Sequence, residues 1–522
     1  MRFKKRIMKM NCGKLSILLM LLWCGGVLSA QTTPGKLDNY SGSTATWLNP
    51  STLRTTFVYM DLGVANFDMT VHNNFAYLPS GSFLPSLRGL LSEGGTWATF
   101  DGKQPDKDYY YRYFDPDFEK KRPVHIYESM NFSLPIFMTT IAGRHAVSFF
   151  LRQRAYTSFV KTPWEIPVLI TESLEWEPMQ HWRFESEGMR FANMEWSEAN
   201  LSYAATLLED GAYKLDAGMT ARWMMAVGGF TGRFESLAYE VLHKDTIYFY
   251  GMEGTMNIVA PVGYSVNFRQ DPANLLKIAD PFYRGMGFGG DIGLSLTNKK
   301  SSMIPLRPKT ACDDYPVDYY WRLGVSLIDL GKIVFDDNTL VGDLRFEEKR
   351  VNLKLFDTVQ SINGLVDLMD TLMGSRTSAF AYGPKFDVGL PTALSVQFDA
   401  NVYRDFYVNA TWIHPLSHLL YNDAVEREPL LSVTPRFENM YFGAAMPITL
   451  YDYSYVTLGT FLRLGPVQLC TNDLLSLAGF TKTRNIDFYL SVRLKLSRGD
   501  CLFHPFIDAC GDKYIKRSKK RR

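Results

Sequence analysis

The sequence predicts an all-β fold: a transmembrane antiparallel β-barrel of about fourteen strands, with a few helices outside the membrane. Three observations predict it. Apolar and polar residues alternate in repeated runs of about nine to eleven residues, the length a tilted strand needs to cross the hydrocarbon. An export signal opens the chain. After Leu28 no stretch reaches the roughly 18 apolar residues of a helical span.

The amino end sets the compartment. Arg2, Lys4, Lys5, Arg6, Lys9 and Lys14 precede an apolar run from Leu15 to Leu28, which ends on the small residues Ser29 and Ala30. This is the pattern of a secretory signal peptide over residues 1–30, removed before Gln31. Trp23 stands where lipidation of Cys24 would need a small residue. The whole chain carries a formal net charge of +2, but the signal holds six of its 56 basic residues and none of its 54 acidic ones, so the mature chain is at −4. Seven more basic residues, Lys513, Lys516, Arg517, Lys519, Lys520, Arg521 and Arg522, crowd the end, which leaves the body at −11. That balance argues against a nucleic-acid partner. Four cysteines remain after the signal, too few to form the framework of so long a chain.

The alternation itself assigns faces. Ala65, Phe67, Met69 and Val71 point to lipid, and Asn66, Asp68, Thr70 and His72 to the lumen. Val147, Phe149, Leu151 and Ala155 oppose Ser148, Arg152, Arg154 and Ser158. A strand through Leu201, Tyr203 and Leu207 reaches Asp210-Gly211, a hairpin signal, and returns through Leu215, Met219 and Trp223 with Asp216, Thr220 and Arg222 opposite. The pattern continues in Phe288 to Leu296, Leu394 to Val402, Phe406 to Trp412 and a last strand from about Ile486 to Leu496. Weaker candidates are Tyr320 to Leu327 and Tyr455 to Leu464. Aromatics recur near strand ends, in Tyr109-Tyr110-Tyr111, Tyr319-Tyr320-Trp321 and Tyr451 to Tyr455, where interfacial girdles sit.

Two segments break the rhythm. Residues 78–133 are too long and polar for a turn and read as a surface loop or lumenal insertion. Leu355, Val359, Ile362, Val366, Met369 and Met373 recur at spacings of four and three, with Gly374 closing the run, which predicts a helix of about five turns. Lying outside the bilayer or in the lumen, it would set its apolar stripe on the barrel or on a partner.

Several segments carry a family resemblance. Asn49-Pro50-Ser51 resembles the Asn-Pro-Ala motif in the hatch of FadL-type fatty-acid channels. Phe288-Gly289-Gly290-Asp291-Ile292-Gly293, Leu323 to Gly331, Leu390-Pro391-Thr392-Ala393-Leu394 and Arg463-Leu464-Gly465-Pro466-Val467 are similar to strand motifs of a largely uncharacterised barrel group related to FadL and to the secretion-associated barrel PorV. The resemblance covers about Thr46 to Leu496. It implies a hatch over 31–56 containing Asn49 and Pro50, a barrel over 57–497, and hydrophobic-molecule uptake or a role in secretion. The basic tail over 498–522 departs from barrels that end on a strand with a terminal aromatic.

The chemistry-bearing candidates are few. Gly285 to Gly290 lies inside an alternating strand, where glycine allows a bend or close approach of a plug, so it is no nucleotide loop. His414 and His418 have helical zinc spacing, but Pro415 interrupts them and no third ligand is near. Arg152 and Arg154, with Asp68 and His72, either select solutes by charge or are a solvated polar wall. Cys501 and Cys510 either close a small loop or stay separate thiols, and the basic tail is either a solvated end or a tether to anionic lipid or cell-wall polymer. No catalytic constellation is recognisable, so neither enzymatic activity nor a cofactor is expected. The expected role is passive uptake of a hydrophobic or amphipathic small molecule in the outer membrane, in contact with its lipid. The rival is a structural or secretion-accessory barrel that docks a periplasmic or surface protein on the Leu355 to Met373 helix.

Overall fold

The computed structural model describes residues 37–77, 80, 122–141, 143–167, 180–259, 283–301, 316–336, 338–352, 354–355, 362–373 and 380–498. A 3-10 helix, Gly42–Trp47, and a one-turn helix α1, Thr52–Thr55, lead into the sheet. β1 (Val58–Asn73), β2 (Val124–Ile141), β3 (His145–Thr162), β4 (Arg183–Glu209) and β5 (Tyr213–His243) form an antiparallel meander. β5 then takes two partners. Its far half pairs with β6 (Thr246–Val259) and its near half with β7 (Gly285–Lys299).

β8 (Tyr319–Phe335) lies beside β7, and β9 (Thr339–Asn352) beside β6. After helix α2 (Ile362–Met373), β10 (Phe380–Tyr382) pairs with β9. β11 (Phe386–Gly389) and β12 (Ala393–Tyr403) both pair with β8 and make one interrupted wall strand. β13 (Phe406–Pro415), helix α3 (Ser417–Leu420) and β14 (Leu430–Glu438) follow. β15 (Phe442–Ala445) with β16 (Ile448–Tyr451), and β17 (Tyr455–Leu458) with β18 (Thr460–Leu464), are two more interrupted strands. β19 (Val467–Thr471), helix α4 (Leu474–Leu477) and β20 (Ile486–Ser497) complete the ring, because β20 pairs with β1 from Val58↔Ser497 to Val71↔Ile486. The result is a closed antiparallel barrel with fourteen strands in its wall. Ring closure removes the two free edges of an open sheet, which is the condition for crossing a bilayer with sheet.

The faces follow the period-2 pattern. Leu201, Met219, Trp223, Phe288, Ile292, Leu294, Phe398 and Val402 lie exposed on the outside, while Asn200, Ser202, Thr220, Asp291, Ser295, Ser395 and Gln397 are buried inside. Tyr203, Tyr213, Tyr320, Tyr403 and Tyr441 ring the outside at the end where the chain enters. At the far end Tyr453 Oη accepts from Trp412 Nε1 at 3.0 Å and pairs with His414 Nδ1 at 2.8 Å, so His414 belongs to an aromatic girdle. On β4 the outward face turns polar at Glu195, which bonds Gln153 of β3 at 3.1 Å. From there to Tyr203 is roughly 26 Å of strand at about 3.3 Å per residue, or about 20 Å of height at a tilt of about 40°, close to that of an apolar band.

Two expectations need correction. The segment 78–133 is not wholly a loop, because β2 begins at Val124; Phe132 and Leu134 face out against Ser129, Asn131 and Ser133, in register with β1 at Phe67↔Phe132. Residues 78, 79 and 81–121, with Tyr109-Tyr110-Tyr111, lie outside the described residues. Among the described residues the predicted helix covers Ile362–Met373, twelve residues, and Leu355 at its predicted start is exposed in a short turn. Residues 356–361 and 374–379 lie outside the described residues.

β4 and β5, at 27 and 31 residues, continue far past the apolar band. With β6, β9 and β10 they raise a sheet whose core is Phe184, Tyr239, Val241, Leu340, Val351 and Phe380. Leu368, Met369 and Leu372 of α2 pack on that core, and of the predicted stripe Met369 is the residue used there.

Candidate functional site: a lumen covered from both ends

The segment from Leu37 to Phe57 folds inside the barrel and covers its lumen from the end at which β1 begins. Asn49 Oδ1 accepts from the Ser51 amide at 3.0 Å and from its hydroxyl at 2.6 Å, a local turn that brings Pro50 against the wall. The other half of the Asn49 amide donates to Leu294 O and Gln397 Oε1, both at 3.1 Å, and the Ser51 and Ser295 hydroxyls meet at 2.6 Å. Gly218 and Gly293 make this approach feasible. A Cβ on Gly218 would overlap the backbone of Pro50 and Ser51, and one on Gly293 would overlap Asn49 Oδ1.

Ions fix the rest of the segment. Arg463 Nε donates to Asp38 Oδ2 at 2.6 Å. Asp61 Oδ2 takes the Ser43 amide at 3.0 Å and Arg493 Nη1 at 2.9 Å. Burial alone would raise the Asp38 pKa, but the Arg463 and Lys495 charges override it and hold the carboxyl well below its usual range. Its contribution to holding the hatch is therefore complete above the ordinary carboxylate pKa and is lost only as the pH falls through the depressed value.

From the opposite end, residues 416–429 fold inward as a strap. Gly389 N donates to Asp423 O at 2.8 Å and Val425 N to Gly389 O at 3.2 Å. Val425 is fully buried among Tyr156, Met194, Trp196, Met224, Phe335 and Val388, an apolar patch of the inner wall. Its charged neighbours bind the wall: Glu426 takes Arg190 Nε at 2.7 Å, Arg427 meets Asp329, and Glu428 meets His72.

Between hatch and strap lies a buried ionic cluster of Arg152, Arg154, Arg222 and Arg427 with Glu198, Asp291 and Asp329. Arg154 reaches Asp329 with two bonds, at 2.6 and 3.1 Å, and its guanidinium carbon stands 4.8 Å over both the Tyr156 and Trp196 rings. Trp196 Nε1 and Asn200 Nδ2 donate to Glu198 at 3.0 and 3.2 Å, and Arg222 Nε donates to Asn200 at 3.0 Å. The cluster is therefore a hydrogen-bonded brace across the lumen.

Asn66, Asp68, Thr70 and His72 are buried on the inner face of β1, and Arg152 and Arg154 on that of β3. The structure brings the two arginines together, and places His72 instead beside the strap, with its ring 5.2 Å from that of Tyr451. All of these side chains are buried among the described residues. A cavity of about 50 Å³ lies beside the hatch, between Asn39, Asn49, Arg322 and Gln397.

Sequence reasoning placed Asp291 and Arg222 on inward faces but missed the strap and Asp329, which a bulge sets out of phase with its neighbours. The glycines from Gly285 to Gly290 approach neighbouring strands, whereas the hatch meets Gly218, Gly293 and Gly324. Among the described residues no group of three or more His, Cys, Asp or Glu is arranged to hold a metal. Cys501, Cys510 and the basic tail from Lys513 to Arg522 lie outside the described residues, as do residues 1–36.

The close fit at Gly218 gives a direct test. Gly218→Val is expected to expel the hatch while the barrel closes normally, since its overlap falls on hatch backbone that has no rotamer to yield. Limited proteolysis should then cleave within 37–57 without destroying the heat-modifiable barrel; an uncut hatch would show that the wall yields instead.

No curated protein matches the chain. Among solved structures, a TodX monoaromatic hydrocarbon channel mutant is similar with a TM-score of 0.30 and 7% identity, covering 88% of this chain and 95% of that one. A FadL homologue from Pseudomonas aeruginosa gives 0.27 and 10% over 88% and 94% of the two chains. At these scores neither says what this barrel carries. The model of a family of unknown function, DUF5723, matches residues 92–471, most of the chain, and the protein belongs to that family.

Proposed function

We propose that the protein is a gated channel of a Gram-negative outer membrane for passive uptake of a hydrophobic or amphipathic small molecule. One observation carries this reading: an apolar patch lies inside the barrel around Trp196, Met224 and Phe335, and its cover, Val425, sits on a strap held by ion pairs. An apolar ligand can replace Val425 on that patch, while the strap's charged groups exchange protein partners for water. The hatch then forms the second gate. Most hatch-end turns, such as Asp210 to Ala212 and Arg404 to Asp405, are short, the link over 300–318 being the exception, and the far-end connections over 74–123, 163–182, 416–429 and 472–485 are long, which supports a hatch end facing the periplasm and a strap facing outside. The signal peptide at residues 1–30 and a periplasmic basic tail fit the same orientation.

The test is gentle extraction followed by mass spectrometry of bound molecules, with and without Met224→Asp, which puts a carboxylate into the apolar patch itself. A lipid-like molecule bound in stoichiometric amount, and lost at least about ten-fold in the variant, is the expected result. Recovery of a stoichiometric protein instead would favour the docking reading. That reading has one observation behind it, the sheet of β4, β5, β6, β9 and β10 standing beyond the apolar band.

A further inference from the structure

The two covers of the lumen are attached to one irregularity of the wall. β7 and β8 shift register between Gly290↔Leu330 and Ile292↔Leu327, so Ile328 and Asp329 together oppose Asp291. Asp329 sits at φ +56°, a left-handed backbone that a non-glycine residue keeps only where its surroundings hold it. Those surroundings are specific. The Asp329 amide donates to Asp291 Oδ1 at 2.7 Å, its carbonyl accepts from Thr392 Oγ1 at 2.6 Å, and its carboxylate faces Arg154, Arg222 and Arg427. Two residues on, Gly331 at φ +132° donates its amide to Tyr421 Oη at 2.9 Å. Arg427 and Tyr421 both belong to the strap.

The stretch of β8 just below the bulge holds the hatch. Ser326 Oγ donates to Leu48 O, and Gly324 admits the Asn49 amide, which a Cβ there would crowd at 2.9 Å. On β7, Asp291 stands two residues from Gly293 and three from Leu294, the other hatch contacts. On its near side the bulge adjoins Gly324 to Ile328, the segment on which the hatch tip rests, so relaxation of the bulge toward that side moves the hatch contacts.

We infer that the bulge at Ile328 to Gly331 is a relay through which the strap controls the hatch. Withdrawal of the strap removes Arg427 from Asp329 and the Tyr421 hydroxyl from Gly331, the strained backbone loses two of its restraints, and the hatch contacts at Ser326 and Gly324 loosen. The coupling is reciprocal, so freeing the hatch also loosens the strap. The inference deepens the gated-channel reading and rests on it for its use to the cell, but its test requires no ligand.

The test is hydrogen–deuterium exchange by mass spectrometry on the full chain in detergent micelles, following peptides within 37–57 and 416–429. In Tyr421→Phe/Arg427→Met the hatch amides are expected to exchange about ten-fold faster than in the parent. Glu426→Gln, which weakens the strap's hold on Arg190 but not on the bulge, should leave the hatch within about two-fold of the parent. Asn49→Ala should in turn accelerate exchange in the strap. The relay is overturned if the double variant accelerates the strap and not the hatch, or if Glu426→Gln accelerates the hatch equally. Should the double variant fail to give a heat-modifiable barrel, Tyr421→Phe alone, which deletes one hydroxyl, is read by the same criteria. Coupling without any bound small molecule would sink the uptake reading and leave the relay standing; a bound molecule without coupling would do the reverse.

Discussion

Alanine at Asp329 is expected to cost the barrel about 3 to 5 kcal/mol, because it strips the shared carboxylate from Arg154, Arg222 and Arg427 and leaves positive charge uncompensated in the lumen. Arg154 and Arg222 keep Glu198 and Asp291 respectively, but Arg427 has Asp329 as its ion-pair partner in the strap's inner contact. The loss should therefore be partly recovered by Asp329→Ala/Arg427→Met, which removes a charge along with its partner. Urea unfolding in micelles, followed by the gel shift of the folded barrel, measures both. A single variant within about 1 kcal/mol of the parent would mean that the arginines are stabilised by water rather than by the cluster.

Ile292→Arg should be the most damaging change on the outer wall. Ile292 is exposed outward on β7, midway between the outward Phe288 and Leu296, at a depth where an arginine costs about 2 to 4 kcal/mol. Leu207 is as exposed, yet it lies beyond Tyr203 next to the turn at Asp210, where the same substitution costs about 0 to 1 kcal/mol. Assembly into lipid vesicles should fall sharply for Ile292→Arg and hardly at all for Leu207→Arg. Equal yields would mean that the apolar band is misplaced.

The sequence by itself determined the barrel class and the faces of the strands it located. Period-2 alternation is a local property: in β1, Asn66 to His72 must turn one way once Phe67 to Val71 turn the other, and the turn at Asp210 accepts the Ala212 and Tyr213 amides at 2.7 and 2.6 Å as its residues dictate. The same alternation runs through Met130, Phe132 and Leu134, so the start of β2 was legible too, and was obscured only by the long polar stretch before it. Asn49 and Pro50 were visible as a motif, and they meet the inner wall at Leu294, Gln397 and Gly218.

What tertiary structure alone decided is what fills the lumen. The strap at 416–429 carries no apolar period, and it is buried because Val425 finds a patch assembled from β3, β4, β5, β8 and β11, strands far apart in sequence. Asp329 is drawn inward by a bulge, which breaks the very period that would have assigned its face. Arginines on β3, β5 and the strap converge on it only after the barrel has closed. Alternation along one strand fixes which side chains point inward, whereas which of them meet depends on strand order and register around the whole ring, and on the two chain segments that the ring encloses.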